Sequence, residues 1–216
     1  DNISVDLMLA TPEQTEDSIR QFCDTFCPLV EHISAYLLKV EEGTPFGKQH
    51  MERFCPDEEH AADLYLFAVN ELASRGFAQY EISNFCLPGL HSRHNSSYWT
   101  GKKYLGCGPS AHSFNGTSRQ WNVASLDKYI QSIQQGKLDY EIEELDIYTR
   151  YNDFVITTIR THWGMSLSHL RSTYGENLYQ YCLRMAKPHL EQGVLEIKED
   201  TLKLTKEGIF ISDGIM

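Results

Sequence analysis

Apolar and polar positions follow several rhythms along this chain. ISVDLML (residues 3–9) is a near-continuous apolar run broken only by Ser4 and Asp6. That pattern predicts a strand covered on both faces, as in a parallel α/β sheet. A turn at residues 11–15 leads into a helical stripe of Ile19, Phe22, Cys23, Phe26 and Cys27. HISAYLLKV (residues 32–40) reads as a second strand, ended by a Gly- and Pro-bearing turn at residues 42–45. A helix follows from about Asp57, with acidic residues in its first turn, an apolar stripe of Leu64, Phe67, Ala68 and Leu72, and Gly76 as its stop. AQYEISNF (residues 78–85) then predicts a third strand. Strand–helix–strand–helix–strand is the grammar of a parallel sheet.

Beyond Asn84 the rhythm loosens into an expected long loop, interrupted by a helix over about 125–135. Near Asp146 the pattern changes again. A helix carries Tyr151, Phe154, Val155, Thr158 and Ile159; a second spans 167–174 and a third 178–192, with Pro188 kinking or ending it. A hairpin around Glu199 and Asp200 and a last short helix complete a winged-helix-like module. Two domains are therefore expected, 1–145 and 146–216.

Charge narrows the partners. The chain of 216 residues carries a net charge of −11. Residues 146–216 hold 8 basic against 9 acidic side chains, and residues 1–145 hold 11 against 21. Neither half has the basic excess that a phosphate backbone or an anionic membrane surface demands. The module at the C-terminus is thus expected to pack or gate rather than read DNA. No apolar run approaches the roughly 20 residues of a membrane span, and residues 1–15 lack a signal-peptide pattern. Six scattered cysteines read as reduced thiols of a cytoplasmic protein.

A first strand buried on both faces needs neighbours on both edges, and three strands close no barrel. With no initiator Met, the expectation is that upstream strand–helix units are missing from this chain. The other reading is a second copy covering the edge, that is, a homodimer.

Several clusters compete for a chemical role. Cys23 and Cys27 imitate the opening of an iron–sulfur motif, but Val30 stands where its third cysteine would fall, so the pair reads as helix packing. No 4Fe–4S ligand set is expected here. GCGPSA (residues 106–111) satisfies a dinucleotide fingerprint formally, yet Pro109 removes an amide, so a tight turn is the better reading. Cys86, His91, His94, Cys107 and His112 lack the spacing of a structural zinc site. Asp6 is a carboxylate within an apolar strand; unpaired burial would be costly, so it should face a ligand or the end of the strand, or cap the next turn. HNSSYW (residues 94–99) gathers an imidazole, an amide, a phenol and an indole. It is either aromatic loop packing or a platform where an imidazole meets iron and rings lie against a porphyrin.

The order NISVDLMLATPEQT, HISAYLLKVEEGTPFGK, YEISNFCLPGLHSRHNSSYW, YLGCGPSAHSF, continuing through RYNDFVITTIRTHWGMSL to LKLTKEGIFISDGI, resembles HemW-type proteins. These are radical S-adenosylmethionine proteins related to oxygen-independent coproporphyrinogen III oxidase. The resemblance covers nearly the whole chain. It implies the last units of a partial (β/α)6 barrel followed by a helical C-terminal domain, with the cluster-binding CxxxCxxC in a half absent from this sequence. It implies S-adenosylmethionine contacts at Asp6 and near His112. One departure is local: the family's YGLP turn reads LATP, with Ala10 in place of glycine. HNxxYW separates HemW-like haem chaperones from true oxidases and is complete here, so the resemblance implies haem binding by His94, Asn95, Tyr98 and Trp99, with His94 on iron. It further implies delivery of haem to an acceptor protein. The competing activity is radical decarboxylation of coproporphyrinogen III. No catalytic residue is assigned, and the 216 residues alone are expected to be inactive in radical chemistry.

Overall fold

The computed structural model describes residues 2–215 and divides into two compact units, residues 1–92 and 93–216. The expected boundary at 145/146 lies inside the second unit.

The first unit is a four-stranded sheet with helices. It comprises β1 (Ser4–Leu9), α1 (Glu16–Phe26), β2 (His32–Leu37), α2 (Pro45–Lys48), α3 (Glu58–Ser74), β3 (Ala78–Glu81) and β4 (Asn84–Cys86). Caps fix the helix starts. Thr15 and Ser18 form a reciprocal capping box at α1, and the Asp57 carboxylate accepts from the His60 amide at α3. Ile19 and Cys23 of α1 and Leu64, Ala68 and Leu72 of α3 are buried, as are Leu7, Leu9, Ile33 and Ala35 of the sheet.

Two strand expectations are corrected. β1 and β2 are parallel, but residues 78–86 form two strands, and the sheet order is β1-β2-β4-β3 with β4 antiparallel to both neighbours. The chain reverses at Ile82 and Ser83, so β4 inserts where a single parallel strand was expected. β1 is also not buried on both faces. Leu7 and Leu9 point into the core while Ser4, Asp6 and Met8 are exposed, the period-two alternation of a strand with one open face. The strand lies at the edge of its sheet.

The second unit begins with α4 (Arg93–Trp99), which carries the HNSSYW segment expected in a loop. The Ser97 hydroxyl donates to the His94 carbonyl at 2.6 Å, and the Lys102 amide returns to the Ser97 carbonyl at 3.0 Å across Gly101, whose φ is +63°. A left-handed glycine just past the last turn is a helix stop. Next come β5 (His112–Phe114), β6 (Ser118–Asn122), α5 (Leu126–Gln134) and β7 (Tyr140–Glu144), the strands forming an antiparallel sheet in that order. β7 is an exposed edge carrying Glu141, Glu143 and Glu144, charges that discourage pairing with another chain.

The remainder holds α6 (Ile147–Ile159), β8 (Met165–Ser166), α7 (Leu167–Glu191), β9 (Leu195–Lys198), β10 (Thr201–Leu204) and α8 (Ser212–Ile215). α7 breaks at Gly175 (φ +86°), giving the two helices expected, and Pro188 sits in its last turn. The wing is three-stranded, β8-β10-β9, and its turn places Glu199 at φ +55°. Asp200 takes the Ser168 amide at 2.9 Å and the Ser166 and Ser168 hydroxyls, tying the wing to the start of α7; these donors hold its carboxyl below the usual range. Met165, Leu170, Ile159 and Leu202 make the core of this module.

Candidate functional site

α4 spaces His94 and Tyr98 one turn apart, so they meet on one helix surface. Their rings stand edge-to-face at 5.2 Å, with the Tyr98 hydroxyl 3.3 Å from His94 Nε2. Tyr98 also packs edge-on against Tyr104 at 5.0 Å, and burial pushes the Tyr104 phenol up. The Arg160 guanidinium lies 4.5 Å from the Trp99 ring centre, a cation–π contact. His94 and Tyr98 are exposed, Asn95 and Trp99 half-buried. The indole Nε1 of Trp99 is buried with no hydrogen-bond partner among the described residues.

Tyr98 and Trp99 open onto a cavity of about 540 Å³ lined entirely by second-unit residues. Its far wall is α6, where Arg150, Asp153, Phe154, Thr157 and Thr158 recur at helical spacing. The Thr157 and Thr158 hydroxyls donate to their own helix, to the Asp153 and Phe154 carbonyls, at 2.7 and 2.5 Å. With those hydroxyls engaged, the wall is less polar than its sequence suggests. His169 of α7 closes another side, its ring 5.3 Å from Phe154. His94 and Asn95 are not among the lining residues. The motif is therefore split, with its aromatic end on the cavity and its imidazole on the exposed surface of α4. Sequence reasoning missed Arg150, Phe154 and His169; the one signal available was the period-3.6 recurrence along residues 150–161.

GCGPSA is a turn folded onto its own unit. A Cβ at Gly106 would sit 2.2 Å from the His112 carbonyl oxygen, and the Gly108 amide already donates to the Tyr129 hydroxyl at 3.1 Å. His112 itself is exposed on β5 and stacks on Trp121 at 5.8 Å.

In the first unit, Asp6 is exposed in mid-strand, opposite Ser34 in the parallel register. On the same sheet face lies a buried polar chain that sequence reasoning also missed. His32 bonds the Ser4 hydroxyl through Nδ1 (2.7 Å) and the Tyr80 hydroxyl through Nε2 (2.8 Å), one ring nitrogen donating and the other accepting. Ser34 donates to Asn84, whose amide donates to Glu81 at 2.5 Å. Burial lowers the His32 pKa, with nearby Asp6 opposing it. Just past Asp6, Ala10 adopts φ +58°, the left-handed geometry that suits the glycine of the YGLP turn. Cys23 packs in the core, burial pushing its thiol up to about 12, which suits packing rather than ligation. Among the described residues no group of three or more His, Cys, Asp or Glu is placed to hold a metal ion, and no helix is long and apolar enough to cross a membrane.

Comparison with known proteins gives these features a family. Residues 148–211 match the HemN C-terminal domain. The chain is 31% identical over 219 residues to the heme chaperone HemW of Mycobacterium tuberculosis, covering 100% of this chain and 54% of that protein. It is 30% identical to heme chaperone HemW of Bacillus subtilis, covering 100% and 58%. A mitochondrial radical S-adenosyl methionine domain-containing protein 1 of Bos taurus is 29% identical over 99% of the chain and 52% of its own length. The chain thus spans about half the length of the curated relatives it matches. Among solved structures, coproporphyrinogen III oxidase (HemN) of Escherichia coli, described as a radical SAM enzyme, superposes with a TM-score of 0.79 at 18% identity, over 98% of this chain and 53% of that one. The mixed α/β fold is therefore that of HemN, and the chain is HemW/HemN-like, of the radical S-adenosylmethionine kind.

Proposed function

We propose that this chain binds haem through α4 and that the whole protein, acting in the cytoplasm, delivers the haem to an acceptor protein. The carrying observation is the complete HNSSYW segment folded as one helix, with His94 accessible and the Tyr98 and Trp99 rings beside a cavity. An exposed imidazole can bind iron, and flanking rings can lie on a porphyrin face. Relatives that carry the heme chaperone name support this reading. Asp6, an exposed carboxylate on a polar sheet face, and His112, a half-stacked imidazole, suit hydrogen bonding to S-adenosylmethionine. In the full-length protein the 4Fe–4S cluster would supply the electron for radical chemistry.

The second reading is oxidative decarboxylation of coproporphyrinogen III, favoured by the fold shared with HemN. Titrating haem into wild type and His94→Ala while following the Soret band tests the first reading. A displaced or lost Soret band in the variant is expected; identical spectra and affinities would remove His94 as the ligand. Sustained turnover of coproporphyrinogen by the full-length, cluster-loaded protein would favour the enzyme instead.

A further inference from the structure

We propose that the cavity beside α4 is a seat for a flat, doubly carboxylated ring, with Arg150 as its carboxylate anchor. The charge of the cavity stands against that of the chain. The whole sequence carries −11, yet the lining holds three cations, Lys102, Arg119 and Arg150, against one carboxylate, Asp153. Asp153 is already engaged by Arg119 in an ion pair. Arg150 has a buried Nε with no hydrogen-bond partner among the described residues. A buried guanidinium N–H left unmade costs free energy, and the fork geometry of Arg suits a carboxylate. The excess of two positive charges matches two carboxylates.

The walls specify the body of the ligand. Trp99 offers an aromatic wall and an unpaired N–H, and Phe154 lies across the cavity on α6. A pocket of this volume lined by rings and a few convergent polar groups fits a planar aromatic molecule of tens of atoms. The inference rests on the haem reading above for the identity of that ring, a porphyrin with its propionates. It goes beyond that reading in assigning the propionates to Arg150 and Lys102. It also implies that seating the ring does not require iron.

The test uses metal-free protoporphyrin IX and its dimethyl ester with the 216-residue chain, read by quenching of tryptophan fluorescence. Two of the three tryptophans, Trp99 and Trp163, line the cavity. Arg150→Gln should weaken the diacid by about tenfold or more, as loss of a charge-assisted pair does, and barely affect the ester. Lys102→Gln, an exposed site where folding is not at stake, should weaken the diacid by a smaller factor. Equal binding by wild type and both variants, or ester bound as tightly as diacid, would overturn the assignment. So would absence of porphyrin binding by a chain that still shows a His94-dependent haem Soret band; that result would leave the haem reading standing. Loss of the Soret dependence together with retained, Arg150-dependent porphyrin binding would instead remove His94 and keep the cavity.

Discussion

One set of polar groups in the first unit and one in the second are arranged to opposite ends. On the first unit's sheet, Ser4, His32 and Tyr80 bond to one another, and Ser34, Asn84 and Glu81 do the same. Each buried polar atom in these two chains finds a partner, so the arrangement is complete without a ligand and stiffens the sheet face on which Asp6 stands. In the second unit, Trp99 Nε1 and Arg150 Nε, buried atoms of two cavity-lining residues, lack partners among the described residues, and cations outnumber carboxylates along the cavity. The lesson is that buried polar residues have two uses, distinguished by satisfaction rather than by residue type. One set holds the scaffold, and the other is held ready for something else.

Breaking the satisfied set should cost stability most. Asn84→Ala strips a donor from the buried Glu81 carboxylate and an acceptor from Ser34, and should destabilise the fold by about 3 kcal/mol, measured by urea unfolding. If the variant unfolds with wild type, the network is ornamental and the contrast fails.

A smaller effect comes from pH. Burial lowers the His32 pKa below its ordinary 6.5, so below that pH the unfolded chain takes up a proton that the native chain resists. The contribution is whole above pH 6.5 and is lost as pH falls further. Unfolding midpoints measured from pH 7 to 5 should decline, and His32→Gln should flatten that part of the decline. A slope unchanged in the variant would assign the pH dependence elsewhere.

The smallest expected change is at Ala10. Its left-handed backbone costs an alanine roughly 1–2 kcal/mol, while glycine's extra freedom in the unfolded chain returns about 0.4–1 kcal/mol. Ala10→Gly should thus stabilise by about 0.5 kcal/mol, visible as a small rise in Tm.

Much of the framework could be read from residues that act locally. The sequence pattern places a helix start near Asp57 and a change of organisation near Asp146, and in the structure each of these residues is the N-cap of a helix. Glu199 and Asp200 announced the wing, and Gly175 separates the two helices that the pattern had divided. Local signals failed where tertiary structure decided. YEISNF contains no glycine or proline at its reversal, so the turn at Ile82 and Ser83 was invisible and two antiparallel strands looked like one parallel strand. RHNSSYW has no apolar stripe and buries no residue fully, so its helix was hidden, although Gly101 marked its end. The alternation of His32, Ser34 and Tyr36 was available as a period-two signal for the polar face and was outweighed by the surrounding apolar letters. The cavity could not be read at all, because Trp99, Arg119, Arg150 and His169 meet only after folding.

The contrast between a closed scaffold and an open seat is tested most directly by hydrogen exchange on the chain with and without haem. Added haem should slow exchange along α4 and the cavity-facing part of α6, residues 93–99 and 150–159, while leaving β3 and β4 at their already slow rates. Protection appearing in β3 and β4, with α4 and α6 unchanged, would contradict it.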